Sequence, residues 1–168
     1  MVPTSSSAIR ADAPSVFASR FMTVSPFLIL AALTTLTGQP RVVDGDTLVV
    51  SGQHIRLDGI DAPETKQVCQ RDGDWRCGLA ATEALKAMIG NGEVRCEGGA
   101  KDRYRRLLAT CWAGSVKLNE QMVRQGWAVA YREYSVRYVP YEDEAKGSKA
   151  GLWASVFVPP WEWRRGKR

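Results

Sequence analysis

The sequence predicts an α+β fold in which a small five-stranded β-barrel is packed with three α-helices. Short segments rich in β-branched residues, separated by tight turns, follow one another from residue 41 onward. Segments whose apolar residues recur at helical spacing lie between and after these strands. The 168 residues suffice for one compact domain and little more.

Five segments have the composition of strands, and the first three form a meander because only short turns separate them. Their predicted bounds are Arg41–Asp44, Thr47–Val50, His54–Asp58, Glu93–Glu97 and Leu107–Trp112. The third segment alternates polar and apolar residues, as a half-buried strand does. Turns are expected at Asp44–Asp46, Ser51–Gln53 and Gly98–Asp102.

Three further segments are predicted to be helices, each ending close to a glycine. They span Leu79–Ile89, Leu118–Gln125 and Tyr141–Lys149. Residues 59–78 are expected to form a loop, because this stretch holds a proline, glycines and several charges.

The first 38 residues differ in composition from the rest of the chain. They hold only three charged residues, Arg10, Asp12 and Arg20, and they end with an apolar run, Phe27–Leu36. The run is short for a membrane span and matches the core of a signal peptide. We therefore expect export to the periplasm, the medium or the cell envelope, with residues 1–38 as a cleaved leader or a retained membrane anchor. A buried N-terminal strand or helix is the alternative.

Residues 39–158 form the predicted folded domain, and residues 159–168 form a basic tail whose arginines are expected to be solvated. The whole chain has a net charge of +5 and a pI of about 9.2. Residues 1–38 hold two of its 23 basic and one of its 18 acidic residues, so the remainder keeps a charge of +4. A basic body suits a polyanionic partner.

The four cysteines all follow the export-like segment, and an even number in an oxidising compartment indicates two disulfides. Three pairings are possible. We favour Cys69–Cys77, which closes a short loop, and Cys96–Cys111, which joins two predicted strands. A zinc site is the alternative, but the spacings are not those of a zinc motif, and the sole histidine, His54, is remote.

Four acidic residues lie in the turn after the first strand and the loop after the third: Asp44, Asp46, Asp61 and Glu64. A hard divalent cation takes several oxygen ligands and accepts carbonyls and water among them. Asp46 and Asp61, which come from separate loops, are candidates to supply two. The alternative for Asp44 and Asp46 is a role as ordinary turn formers, since Asp-Gly is a common turn pair.

Arginines at two places complement these acids. Arg56 lies on the third strand, where a half-buried guanidinium needs an anion: a substrate phosphate or, alternatively, Asp58 or Asp61. The segment Arg103–Arg106 holds three arginines at a later turn, where simple solvation is the alternative. Phosphodiester cleavage requires acids that hold a cation and activate water, and arginines that neutralise charge developing on phosphorus.

Four blocks of sequence, taken in order, resemble the staphylococcal nuclease (thermonuclease) family. They are Val43–Thr47 (VDGDT), Arg56–Glu64 (RLDGIDAPE), Asp102–Ala109 (DRYRRLLA) and Leu118–Gly126 (LNEQMVRQG). Gly151–Trp153 resembles the usual ending of the family, so the similarity covers roughly two thirds of the chain. Because the blocks include both candidate loops and a helix, they are specific.

The resemblance implies an OB-fold barrel with three helices and a site for one Ca²⁺ ion. The carboxylates of Asp46 and Asp61 match the metal ligands, and the backbone carbonyl of Ala62 matches a further ligand. Asp44 matches an acidic position that supports the site. Glu64 matches the carboxylate described as the base that activates the attacking water.

The resemblance also implies which residues bind the substrate. Arg56 and Arg106 match the two phosphate-binding arginines, and Tyr131 lies where the family has a tyrosine in the nucleotide pocket. The neighbouring turn residues Arg103, Tyr104 and Arg105 are expected to contact the substrate as well.

The chain departs from the family where Arg105 replaces a common glycine, a residue suited to positive φ. The aim of Arg106 therefore depends on whether Arg105 keeps the geometry of the turn. Ala62 replaces a threonine of the best-known member, a change of little consequence since only its carbonyl is needed.

The resulting hypothesis is an exported, calcium-dependent endonuclease that cleaves DNA or RNA at the 5′ P–O bond and leaves 3′-phosphates. We expect a monomer whose partner is nucleic acid, with no stable protein partner. The alternative is an OB-fold module that binds nucleic acid without cutting it. The sequence holds neither a serine nucleophile elbow nor a phosphate-cradling glycine loop, which argues against other hydrolase and nucleotide-binding classes.

Overall fold

The computed structural model describes Met1 and residues 33–168. Most of the predicted leader, residues 2–32, therefore lies outside the described residues. Within the part that is described, no helix is long and apolar enough to cross a membrane.

Among the described residues, the main sheet has seven strands, and the remaining strands form two small two-stranded sheets. In chain order the strands are β1 (Thr34–Gly38), β2 (Pro40–Asp44), β3 (Thr47–Val50), β4 (Gln53–Leu57), β5 (Ile60–Asp61), β6 (Cys69–Gln70), β7 (Asp74–Trp75), β8 (Val94–Lys101), β9 (Leu107–Ala113), β10 (Val116–Lys117) and β11 (Val129–Ala130). The main sheet has the order β1-β8-β9-β4-β3-β2, with β10 on β9. Only β4 and β9 pair in parallel, and the sheet curls into a half-barrel.

In residues 33–168, four helices accompany the sheet. They are α1 (Cys77–Ile89), α2 (Leu118–Arg124), α3 (Val139–Gly147) and α4 (Pro160–Arg164), with a 3-10 turn at Gly151–Ala154. Helix α1 buries Ala81, Leu85 and Ile89, which recur at helical spacing, against the concave side of the sheet. The main core thus lies between the half-barrel and the helices.

The predicted fold class is confirmed, with small differences in the number of elements. The five predicted strands correspond to β2, β3, β4, β8 and β9, and the three predicted helices correspond to α1, α2 and α3. The additional elements of the described chain are short: β1 has five residues, the other extra strands two each, and α4 five.

The turn predicted at Gly98–Asp102 is wrong, because β8 continues to Lys101 and the chain turns only after it. The pairing of β8 with β9 shifts register between Gly98 and Lys101, which marks a bulge. A Cβ atom on Gly98 would lie 2.0 Å from the carbonyl oxygen of Leu108, so the neighbouring strand comes too close for a side chain. Gly98 therefore serves a close strand approach and not a turn.

Strand β1 lies inside the segment assigned to the predicted leader. It pairs with β8 along Thr34–Gly38, and Leu36 packs partly against the core. Cleavage after residue 38 would remove β1 and expose the edge of β8. The boundary at residue 38 stays a prediction.

Both favoured disulfides are formed. Cys96–Cys111 joins directly paired residues of β8 and β9, and Cys69–Cys77 joins β6 to the first residue of α1. The second disulfide lies in a small apolar cluster with Val129 and Leu152, apart from the main core.

Asn119, at the start of α2, is fully buried, and its side chain links this helix to the sheet. Its Oδ1 accepts a hydrogen bond from the Cys111 N–H at 2.9 Å, and its Nδ2 donates to the carbonyls of Ala109 at 3.1 Å and Asp58 at 3.0 Å. One side chain therefore satisfies backbone groups of β9 and of the segment after β4.

We expect Asn119→Leu to lower the free energy of unfolding by about 3 kcal/mol, because the buried Cys111 N–H loses its side-chain acceptor and the carbonyls of Ala109 and Asp58 each lose a donor. Urea unfolding followed by circular dichroism measures the change. Asn91→Leu, at an exposed position, is the control, with an expected change within about 0.5 kcal/mol. Equal midpoints for Asn119→Leu and wild type would contradict this role.

Candidate active site

Two aspartates from separate loops meet beneath one arginine. Asp46, just before β3, is 3% exposed, and Asp61, in β5, is 0% exposed. Arg56 projects from β4, where it pairs in register with Thr47 of β3. Its Nη2 donates to Asp61 Oδ1 at 2.6 Å, and its Nη1 forms an ion pair with Asp46 Oδ1. An ion pair with Asp58 or Asp61 is the predicted alternative to phosphate binding by Arg56. The structure shows the pair with Asp61, and the second partner is Asp46 and not Asp58.

The turn between β2 and β3 fixes the first aspartate. Asp44 Oδ1 accepts the N–H of Asp46 at 3.0 Å, so Asp44 is a turn former that also holds its neighbour. Burial raises the pKa of Asp44, although a hydrogen bond from Thr47 and the charges of Arg56 and Arg106 oppose this effect.

Ala62 joins the two loops. Its N–H donates to Asp46 Oδ2 at 2.7 Å, and its methyl group packs against Gly45, where an added Cβ would lie 2.7 Å from that of Ala62. The glycine of the Asp-Gly-Asp motif is therefore required by a close approach between the two loops.

Glu64 lies on a loop that is tied down at several points. Buried Gln67 accepts the Glu64 N–H at its Oε1 (3.3 Å) and donates from its own N–H to the Glu64 carbonyl (2.7 Å). A Cβ on Gly78 would lie 1.7 Å from the Glu64 carbonyl oxygen, so the start of α1 also rests on this backbone. The side chain of Glu64 is about one third exposed, at 35%.

Arg164 of α4 enters the same network from the far end of the chain. Its Nη1 donates to Asp61 Oδ1 at 3.0 Å and to Glu64 Oε1 at 2.9 Å, and its Nη2 donates to Asp61 Oδ2 at 2.8 Å. The expectation that the tail arginines are solvated is wrong for Arg164, because two acids of the site hold it.

Arg106 reaches the site through Thr47. The Thr47 hydroxyl donates to Asp46 Oδ1 at 3.1 Å and accepts from Arg106 Nη1 at 3.4 Å. Asp102 orients the same guanidinium by accepting from its Nε at 2.7 Å. Burial opposes the charge of Asp102, but the hydrogen bonds and charge of Arg106 outweigh it and lower the pKa of this carboxyl.

Arg105 keeps the turn geometry that a glycine would provide. Its backbone adopts φ = +65°, in the left-handed region, and Arg105 is exposed to solvent. The Asp102 Oδ1 atom accepts the N–H groups of Tyr104 and Arg106, both at 2.9 Å, so the turn is held from within. With the arginine in place of the glycine, the turn keeps a left-handed residue and the Arg106 guanidinium contacts Asp102 and Thr47.

The predicted substrate-binding residues of this turn lie at the surface. Arg103 and Arg105 are exposed, and Tyr104 is 64% exposed beneath the guanidinium of Arg103, 4.8 Å from its ring centroid. No side chain of this trio belongs to the acidic network. Their contact with substrate stays a prediction.

Tyr131 lies beside the acidic network. It follows β11, whose Val129 pairs with Asp61, and its N–H donates to the Gly59 carbonyl at 3.0 Å. Burial raises the pKa of Tyr131, and the negative charge of nearby Asp61 adds to this. Trp161 of α4 stacks on the Tyr131 ring, with centroids 5.8 Å apart and planes 6° apart.

The donor set fits a hard divalent cation in part. In the described residues, no group of three or more His, Cys, Asp or Glu side chains is arranged to hold a metal. A carboxylate can accept about four hydrogen bonds. Asp46 and Asp61 each accept three from protein donors, so each keeps one acceptor position, at Oδ2, for a cation. Four carboxylates, of Asp44, Asp46, Asp61 and Glu64, lie with the three guanidiniums of Arg56, Arg106 and Arg164, so these groups together have one negative charge in excess. Carbonyls and water would complete the shell of six to eight oxygens that calcium takes.

The staphylococcal nuclease homologue family model matches residues 54–155 of the chain. The chain belongs to the staphylococcal nuclease family. Its match spans Arg56, Asp61, Glu64 and Arg106, while Asp46 and Arg164 lie outside it. The domain of this family is an OB-fold, and the family is generally metal-dependent.

Several proteins are similar to this chain. A protein named an uncharacterized endonuclease from Escherichia coli O157:H7 is 37% identical over 135 residues, which are 76% of this chain and 83% of that protein. The succinoglycan biosynthesis protein ExoI of Rhizobium meliloti is 35% identical over 127 residues, 73% of this chain and 66% of its own length. A probable staphylococcal-like nuclease CAN1 of Oryza sativa is 35% identical, over 74% of this chain and 36% of the rice protein. These similarities confirm the predicted enzyme class, a nuclease and hence a hydrolase that acts on nucleic acid.

Three residues of the network were missed by sequence analysis. Thr47 lies within the Asp-Gly-Asp-Thr block, and its position there is the one indication of its role. Gln67 and Arg164 lie in segments interpreted as loop and tail, and no local pattern marks either side chain.

We expect Arg105→Gly to raise the free energy of unfolding by at most about 1 kcal/mol, because glycine adopts positive φ without strain. Arg105→Val is the matched contrast, since a β-branched residue resists this conformation and should destabilise by about 1 kcal/mol. Urea unfolding measures both variants. A loss of stability in Arg105→Gly that equals the loss in Arg105→Val would refute the strain argument.

We expect Thr47→Val to lower kcat/KM by about tenfold, because the variant removes one hydrogen-bonded link between Asp46 and Arg106 while keeping the side-chain volume. Initial rates of nucleic-acid cleavage measure the effect. Ser115→Ala, which removes an exposed hydroxyl within the folded domain, serves as the control. Unchanged kinetics in Thr47→Val would show that the hydroxyl does not align the two groups.

Proposed function

We propose that this protein is an exported, calcium-dependent endonuclease that hydrolyses DNA or RNA at the 5′ P–O bond and leaves 3′-phosphates. The observation that carries the proposal is the convergence of four side chains: buried Asp46 and Asp61 pair with Arg56, and Arg164 links Asp61 to the partly exposed Glu64. Family membership supports the same chemistry.

The side chains divide the work between binding and proton transfer. Glu64 accepts a proton from the attacking water, and its Oε2 accepts no hydrogen bond from the described part of the chain. Arg56 and Arg106 bind the phosphate, since each uses only three of its five N–H groups on protein acceptors. The remaining donors stabilise negative charge that develops on the phosphoryl oxygens.

Asp46 and Asp61, with the carbonyl of Ala62, are the residues that would hold calcium, and Asp44 supports them by fixing the turn. When bound, the ion supplies Lewis-acid stabilisation of the phosphate and lowers the pKa of a bound water. Oxygen donors alone, with no sulfur or nitrogen, favour a hard ion of this kind.

Export is supported by two independent features. Residues 1–38 have the composition of a leader, and the described chain contains two disulfides and no free cysteine. Disulfides persist in oxidising compartments. Residues 1–38 are proposed to be removed or to stay as an anchor, and the intact mass of the protein from the cell envelope or medium decides which.

We expect wild-type protein to digest plasmid DNA or single-stranded RNA in calcium and to leave both intact in excess EGTA. Mass spectrometry of short oligonucleotide products should show 3′-phosphate ends. Glu64→Gln should lower kcat by about 10²- to 10⁴-fold, the contribution typical of a general base.

The folded state of Glu64→Gln is checked by its circular dichroism spectrum. The control is Glu83→Gln, at an exposed position of α1. Digestion that continues in EGTA would contradict the calcium requirement. Full activity in Glu64→Gln would overturn the role of the base, and binding without any cleavage would favour the non-catalytic OB-fold module.

A further inference from the structure

The C-terminal segment is docked onto the candidate active site by contacts at four places. Val156 exchanges two backbone hydrogen bonds with Gln70, both 2.9 Å, and the Val158 carbonyl accepts from Gln67 Nε2 at 2.7 Å. Trp161 stacks on Tyr131, and Arg164 binds Asp61 and Glu64. The segment is therefore an integrated part of the fold and not a free tail.

An apolar cluster fixes the base of this segment. Phe157 and Trp161 pack with the Cys69–Cys77 disulfide, Val129 and Leu152. The disulfide belongs to the loop that carries Glu64, and Val129 pairs with Asp61. Helix α4 thus rests on the two elements that present the acids, so its position is coupled to theirs.

The contacts of Arg164 bear on the two acids in different ways. It uses both oxygens of buried Asp61, which accepts three hydrogen bonds in all and keeps one acceptor position at Oδ2. It takes only Oε1 of Glu64 and leaves Oε2 without a protein donor in the described chain. Arg164 therefore restrains both carboxylates without using up the positions that a cation and a water need.

A carboxylate that is one-third exposed samples several rotamers unless something holds it. Among the described residues, Arg164 is the side chain that makes a hydrogen bond to the Glu64 carboxylate. Groups that orient a metal ligand, the role proposed for Asp61, typically contribute 10- to 100-fold to metal affinity or activity.

We propose that Arg164 is a positioning residue of the active site, which orients the Glu64 carboxylate and Asp61, and that Trp161 anchors the helix that delivers it. The proposal rests on the proposed function, because it assigns Glu64 as the base. Arg164 acts through these acids and is not itself assigned to the phosphate.

The kinetic test compares Arg164→Gln, Arg164→Lys and Arg165→Gln. Arg165 is the adjacent exposed arginine, so its variant removes the same charge from the same helix end. We expect Arg164→Gln to lower kcat 10- to 100-fold with KM changed less than threefold. Arg164→Lys should recover part of the loss, since one ammonium holds one carboxylate, and Arg165→Gln should match wild type.

A second measurement does not depend on activity. Thermal unfolding in EDTA is compared for wild type, Arg164→Gln, Glu64→Gln and the double variant. Because the two side chains contact each other, the midpoint of the double variant should lie no lower than that of Arg164→Gln alone. Additive shifts would show that the contact is absent and would overturn the proposal.

Two kinetic outcomes would also overturn it. An unchanged kcat in Arg164→Gln would mean that Glu64 is oriented without this arginine. A higher kcat, together with tighter calcium binding by isothermal titration, would mean that α4 obstructs the site. A wild-type protein that does not cleave in calcium would refute the proposed function instead, and the unfolding comparison would still test the contact.

Discussion

The site depends on the ion pairs that Arg56 makes with Asp46 and Asp61. Both carboxylates are almost completely buried, and two such charges without a partner would cost several kcal/mol each. The guanidinium lies between them because β3 and β4 pair in one register, with Arg56 opposite Thr47. A slip of one residue would turn Arg56 to the other face of the sheet. The register of a single hairpin therefore sets the geometry on which every other contact of the site depends.

Segments distant in sequence complete what this hairpin begins. The loop after β5 brings Glu64 to the site, and Gln67 and the close approach of Gly78 hold its backbone. The C-terminal segment then covers this loop and contributes Arg164. The site is thus assembled from the start, the middle and the end of the folded domain. For this reason, local sequence patterns alone do not identify all of its residues.

The sequence predicted the regular elements whose patterns are local. Alternating and β-branched segments located β2, β3, β4 and β9, and helical spacing located α1. The end of β8 was misassigned because glycines at a bulge resemble those of a turn. Helix α4 was missed because five residues carry no periodic pattern, and it follows two prolines. Short helices of this kind are held by tertiary contacts and not by propensity.

The candidate site was predictable to a similar extent. Asp46, Asp61, Glu64 and Arg56 were identified from their charge and order, and the structure brings them together. Arg164 lies 103 residues after Asp61, and a basic tail gives no indication that one arginine among several is held by buried acids. Such a contact depends on where the chain ends relative to the loop, which pattern analysis does not determine.

The Cys69–Cys77 bond has a consequence for where the folded enzyme is competent. It closes the loop that begins near Glu64, and its two cysteines belong to the apolar cluster on which Trp161 of α4 packs. In a reducing cytosol such a crosslink does not persist. A reduced chain would then have a looser loop beside Glu64 and a poorly seated C-terminal helix. Oxidation of these two cysteines would therefore be the step that completes the network in which Arg164 meets Asp61 and Glu64.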